Sequence, residues 1–68
     1  MTEIKHKAGD VLVFMANSPP RTEYRLESYD SVHVRVSYVE DGTRITYDMD
    51  IDIFHNLCPV SASYLAEL

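Results

Sequence analysis

The stretch VHVRVSYVEDGTRITYDMDIDI, residues 32–53, carries the clearest structural signal in this 68-residue chain. Apolar and polar side chains alternate on both sides of Asp41-Gly42, as they do in half-buried strands. Asp and Gly readily take the two positive-φ positions of a type I′ turn. We therefore predict an antiparallel hairpin in which residues 32–39 and 43–53 flank a tight turn.

The two-residue turn also predicts the register of this hairpin. It pairs Val36 with Tyr47 and Val34 with Met49, so that core-facing residues meet one another. A three-residue loop would instead set Val36 against Asp48. The residues predicted to be buried are Val34, Val36, Tyr38, Ile45, Tyr47, Met49 and Ile51.

Two further strands are predicted before the hairpin. Residues 11–15, VLVFM, are apolar on both faces, which is typical of a short buried strand. Residues 22–28 alternate, with Tyr24 and Leu26 facing inward. Two lengths are possible for the loop that follows. A three-residue loop sets Arg25 against Arg35, and a five-residue loop sets Glu27 against Arg35.

The end of the chain departs from the alternating pattern. Residues 54–57 predict one helical turn, and residues 58–60 predict a return to extended chain. Residues 61–68 contain helix formers behind a capping serine and suit a short C-terminal helix. Together the elements predict a mainly β single domain over residues 1–68, with a β core over 7–60 and a tail over 61–68.

The order of these elements resembles the small SH3-like barrels of the KOW and Tudor type. Lys7-Ala8-Gly9-Asp10 matches the Lys-x-Gly-Asp that opens such domains, and residues 54–57 match the helical turn before their last strand. The resemblance covers residues 7–60 and implies a small SH3-like barrel, with a strongly twisted antiparallel sheet of about five strands as the alternative. The binding modes of the family are not carried over. The chain has no Trp and no acid in its long loop, and Tyr24, Tyr38 and Tyr47 face the core by parity.

Composition limits the function. A chain of this length folds around a thin core and has no room for a deep substrate cavity, so we do not expect an enzyme or a cofactor. The single Cys58 favours a reducing, cytoplasmic setting and is predicted to be a small buried residue. No apolar run is long enough to span a membrane. The His and carboxylate residues show no ligand spacing, and no metal site is predicted.

The net charge of -5 suggests a binding surface. Asp48, Asp50 and Asp52 are predicted to share the outward face of the second hairpin strand, with Arg35 opposite Asp48 and His33 opposite Asp50. The simplest interpretation is a solvated sheet face with surface ion pairs.

The functional interpretation is an acidic surface that docks on a basic protein partner, because Glu40, Asp41 and Asp52 have no predicted counter-charge. A second candidate surface is the apolar tail with Tyr64, Leu65 and Leu68.

The leading hypothesis is therefore a small intracellular interaction module: an adaptor, regulatory subunit or inhibitor in the style of phage accessory proteins. Homo-oligomerisation stays open. The alternative is a nucleic-acid-binding barrel using Lys5, Lys7, Arg21 and Arg25, which the net negative charge disfavours.

Overall fold

The computed structural model describes residues 4–67, which form one five-stranded antiparallel sheet and two short helices. The strand order is β4-β3-β2-β1-β5. The elements are β1 (Val11–Phe14), β2 (Glu23–Tyr29), β3 (His33–Glu40), β4 (Thr43–Asp50), α1 (Ile51–Asn56), β5 (Pro59–Ser61) and α2 (Ala62–Ala66). The prediction of a mainly β fold with about five strands is confirmed. Over residues 4–67 the sheet is open, with β4 and β5 as its edges, and does not close into a barrel.

The β3–β4 hairpin has the predicted turn and register. Asp41 and Gly42 have φ values of 51° and 79°, as a type I′ turn requires. Val36 lies opposite Tyr47 and Val34 opposite Met49.

The second hairpin strand is shorter than predicted, because β4 ends at Asp50 and α1 begins at Ile51. A strand through residue 53 would turn Ile51 and Ile53 to the same face. The helix instead buries Ile51 and Phe54, three residues apart, and leaves Ile53 51% exposed. Burial of the large Phe54 ring favours the helix.

The pairing of β2 with β3 contains a bulge that the regular alternatives did not include. Arg25 lies opposite Ser37 and Leu26 opposite Val36, which is the register of the five-residue loop. Between Leu26 and Ser28 the register shifts by one, so that Ser28 and not Glu27 lies opposite Arg35. Leu26, which precedes the extra residue, stays opposite Val36 on the core face, and the bulge changes the position of Glu27.

The hydrophobic core lies on one face of the sheet, under α1. Its members are Leu12, Phe14, Leu26, Val34, Val36, Ile51 and Phe54. Tyr38, Ile45 and Met49 are only half-buried. The prediction that Tyr47 is buried is wrong, because Tyr47 is 47% exposed. Helix α1 has six residues and leaves this part of the core face uncovered.

The predicted helical turn and final extended segment correspond to α1 and β5. Cys58 between them has a φ of 55°, the left-handed conformation common just after a helix. Its thiol is exposed, so the prediction of a buried cysteine is wrong. After β5, helix α2 lies against β1 and β5. No helix within residues 4–67 has the length and apolarity needed to cross a membrane.

Candidate functional site

The outward face of the hairpin holds ion pairs at the predicted positions. Arg35 donates from Nε to Asp48 Oδ1 at 2.7 Å and from a terminal nitrogen to Asp48 Oδ2 at 3.2 Å. His33 Nε2 lies 3.7 Å from Asp50 Oδ1. The arginine lowers the pKa of Asp48, chiefly through the hydrogen bond. Asp48 is therefore largely neutralised within the chain and is a weak candidate for partner binding.

Asp52 does not belong to this row of aspartates. It lies in the first turn of α1, where a negative charge interacts favourably with the helix dipole. The predicted stripe of three aspartates on one strand is wrong, because β4 ends at Asp50. Asp52 is exposed and forms no ion pair among residues 4–67.

A second set of charges surrounds Ser37 on the same outward face. The bulge brings the Glu27 carboxylate to Ser37, whose hydroxyl donates to Glu27 Oε2, and Arg25 Nε donates to the same oxygen at 2.6 Å. Arg44 donates to Ser37 Oγ at 2.8 Å. The Ser37 bond, followed by the Arg25 bond, lowers the pKa of Glu27. Ser37 is fully buried beneath these long side chains.

The predictions from sequence missed this network. The alternating pattern placed Ser37 on the solvent side of β3, which is correct for its direction but not for its burial. The burial of Ser37 could have been predicted from its place on a strand that has a neighbour on each side. Longer side chains on the neighbouring strands can cover a small side chain at such a position.

The core face presents a row of aromatic rings that crosses the sheet. The centroid distances are 5.9 Å from Phe54 to Phe14, 4.8 Å from Phe14 to Tyr24, 5.3 Å from Tyr24 to Tyr38 and 5.6 Å from Tyr38 to Tyr47. The last two rings are stacked, with 14° between their planes. The row therefore starts in the core and ends at a half-exposed tyrosine pair at the β4 edge.

The exposed end of this row is close to an acid of the turn. The Tyr38 hydroxyl lies 3.3 Å from the Tyr47 hydroxyl and 3.5 Å from Glu40 Oε2. The hydrogen bond with Tyr47, then burial and the Glu40 charge, raise the pKa of Tyr38 to about 12. The Tyr38 ring thus stays neutral near neutral pH. We call Tyr38, Tyr47, Glu40 and Asp41 the hairpin-end site.

Glu40 and Asp41, like Asp52, are predicted acids that form no ion pair among residues 4–67. Both are exposed at the β3–β4 turn. Sequence reasoning found these two acids but placed their tyrosine neighbours in the core. The sequence did contain a signal that these tyrosines would be exposed: few residues lie outside the five strands, and they are too few to cover the whole core face.

The basic residues of the alternative hypothesis are only partly available. Arg25 is held by Glu27, and Arg21 Nε donates to the Asn17 carbonyl at 3.0 Å. Lys5 and Lys7 are exposed in the segment before β1. The pairing of Arg25 weakens the predicted basic patch.

The described residues of the apolar tail differ in their exposure. Tyr64 in α2 is 56% exposed, whereas Leu65 is half-buried. Leu68 lies outside the described residues. Among residues 4–67 no group of three or more His, Cys, Asp or Glu side chains is arranged to hold a metal ion.

Comparison of the chain with protein-family models, with curated proteins and with solved structures finds no match. The hairpin-end site is therefore interpreted from its own geometry.

Proposed function

We propose that this protein is a protein-interaction module that binds a basic segment of a partner at the hairpin-end site. The observation that carries the proposal is the stacked, half-exposed Tyr38–Tyr47 pair beside Glu40, whose charge has no counter-ion among residues 4–67. The role is one of binding and not of catalysis. It fits a cytoplasmic adaptor, inhibitor or regulatory subunit, including the accessory type found in phages.

The two kinds of group in the site favour the same ligand. A lysine or arginine side chain over an exposed tyrosine ring gains about 0.5–1 kcal/mol from the cation–π interaction. Glu40 and Asp41 add carboxylate oxygens that accept hydrogen bonds from ammonium or guanidinium groups. The free carboxylates also attract a basic partner at a distance and speed its association. An anionic ligand would be repelled by the same acids.

Fluorescence polarisation with labelled oligo-arginine, oligo-lysine and oligo-glutamate peptides tests this proposal. We expect the two basic peptides to bind and the acidic peptide not to bind. The double variant Glu40→Gln with Asp41→Asn should weaken binding by about tenfold, which corresponds to the loss of two charge-assisted contacts. Asn tolerates the positive φ of position 41.

A matched control separates the site from the net charge. The double variant Asp52→Asn with Glu67→Gln removes the same two charges from exposed positions away from the β3–β4 turn. It should change the affinity by less than about twofold, because distant exposed charges are screened by salt. Equal losses in the two double variants would contradict a localised site.

The aromatic part of the site has its own test. Tyr38→Leu should weaken oligo-arginine binding and keep a folded sheet, since leucine retains an apolar side chain at this half-buried position. A single-stranded oligonucleotide serves as the opposing probe. If it bound more tightly than oligo-arginine, with a steep loss of affinity in salt, the nucleic-acid hypothesis would replace ours.

A further inference from the structure

The β4 strand is the long free edge of the sheet. It has eight residues, whereas the opposite edge strand β5 has three. The Ile51 amide donates to the Val32 carbonyl at 2.8 Å, toward the β3 side. Because bonding alternates along an antiparallel strand, the even-numbered residues direct their backbone N–H and C=O groups away from β3. These residues are Arg44, Thr46, Asp48 and Asp50.

The charges along this edge are complementary to a reversed copy of the same strand. Arg44 lies near the start of β4, and Asp48 and Asp50 lie near its end. A parallel, in-register copy would set arginine against arginine and aspartate against aspartate. We propose that β4 pairs antiparallel with β4 of a second copy of this chain, giving a twofold dimer with Tyr47 on the axis.

Facial parity limits the registers that such a dimer can adopt. Core-facing residues meet core-facing residues only if the paired residue numbers have an even sum. With Tyr47 opposite Tyr47 of the second copy, Arg44 lies opposite Asp50, and the twofold axis repeats this pair. Ile45 then lies opposite Met49, which continues the apolar face across the interface.

Neighbouring even registers are less favourable. With Thr46 on the axis, Arg44 faces Asp48, which Arg35 already holds through two hydrogen bonds. With Asp48 on the axis, two aspartates face each other. The Tyr47 register instead joins Asp50 to Arg44, which donates at 2.8 Å to the neutral Ser37 hydroxyl. Arg44 forms no ion pair within residues 4–67, and Asp50 contacts only a histidine at 3.7 Å.

The dimer also explains the exposure of Tyr47. This ring is 47% exposed at the free edge, on the side where its copy would stand. Directly opposed residues that do not exchange hydrogen bonds bring their side chains closest, and position 47 is of this kind. The two aromatic rows would then meet at the axis and form one continuous surface.

Charge-reversal variants of the full chain test the proposal by sedimentation. Arg44→Asp sets aspartate against Asp50, and Asp50→Arg sets arginine against Arg44. Each variant alone should raise the dimer dissociation constant by about tenfold or more, since two attractive pairs become repulsive. An equimolar mixture of the two variants should form a heterodimer, because both cross-strand pairs are then complementary. A mixture that stays monomeric would overturn the proposal.

Cross-linking tests the register. In a Cys58→Ser background, Tyr47→Cys should form an interchain disulfide on mild oxidation and Thr46→Cys should not. Cross-linking through position 46 alone would overturn the Tyr47 register. A wild-type chain that sediments as a monomer even at about millimolar concentration would overturn the dimer itself. Tyr47 belongs both to the dimer interface and to the hairpin-end site, whereas Glu40 and Asp41 lie outside the paired residues. The Glu40→Gln with Asp41→Asn variant therefore tests the hairpin-end site separately from the dimer.

Discussion

The polar groups on the two faces of the β3–β4 hairpin differ in whether their charges are compensated by neighbouring side chains. On the outward face, the charges of Arg35 and Asp48 compensate each other, and Glu27 accepts hydrogen bonds from Arg25 and Ser37. On the core face, the aromatic row passes out of the core and ends beside the Glu40 carboxylate, which has no counter-ion among residues 4–67. A high density of charge is therefore not what distinguishes the proposed binding surface from the rest of the hairpin. At the hairpin end, the carboxylates of Glu40 and Asp41 have no ion-pair partner among residues 4–67.

The largest expected effect tests the buried end of the core face. Phe54→Ala removes a ring that is 1% exposed and contacts Phe14 edge-on at 5.9 Å. Such truncations cost about 3–5 kcal/mol, which is close to the whole stability of a small domain. Urea unfolding should show a chain that is largely unfolded without denaturant. Tyr64→Ala, at a 56% exposed position, is the control and should unfold near the wild-type midpoint.

The next effect tests the buried serine of the outward face. Ser37→Ala takes away the hydroxyl that bonds to Glu27 and Arg44, and should cost about 1–2 kcal/mol by urea unfolding. Thr46→Ala, on the neighbouring exposed position of β4, is the matched control. A Ser37→Ala variant as stable as wild type would mean that solvent replaces the network at no cost.

A third prediction concerns acid stability and the same outward face. The pKa of Glu27 lies below its usual 4.5, and the pKa of Asp48 lies below its usual 3.8. Groups with a lowered folded-state pKa stabilise the fold above their unfolded pKa, and this contribution is lost as the pH falls through the folded value. The free energy of unfolding should therefore fall as the pH drops below 4.5. Glu27→Gln should make this decline shallower, and Glu67→Gln should leave it unchanged.

The smallest effect tests the stacked tyrosine pair. Alkaline titration followed by ultraviolet absorbance should show one tyrosine ionising near the pKa of about 12 expected for Tyr38, well above the usual 10.0. The cause is chiefly the hydrogen bond with Tyr47, so Tyr47→Phe should bring this ionisation back toward 10.0. Because the folded pKa is raised, the associated stability is lost only as the pH rises above 10.0. If the pKa of Tyr38 stayed high in Tyr47→Phe, burial and not the hydrogen bond would be the main cause of the shift.

The sequence predicted the hairpin because its signals were local and consistent. Alternation, turn residues and facial parity all indicated one register for residues 32–50, and the structure has it. Alternation alone gave a wrong prediction at Ile51, because a helix begins there and buries Ile51 and Phe54 at a spacing of three residues. It also missed the bulge at Glu27, because an extra residue leaves the pattern of the strand itself almost unchanged.

The candidate site was predicted in part for a related reason. Parity gives the direction of a side chain, so Tyr47 was correctly placed on the core face and Ser37 on the outward face. Burial depends on what covers that face, which is decided by distant parts of the chain. A six-residue helix leaves Tyr47 exposed, and long neighbours cover Ser37.

The short strand β5 has a consequence for solubility. Sheets that expose long edges at both ends can add copies without limit and grow into fibrils. Strand β5 has three residues, begins with Pro59 and is followed at once by α2. A proline has no N–H to offer, so this edge is a poor template for another strand. Association through sheet edges would therefore stop at two copies, with a β5 strand at each outer end.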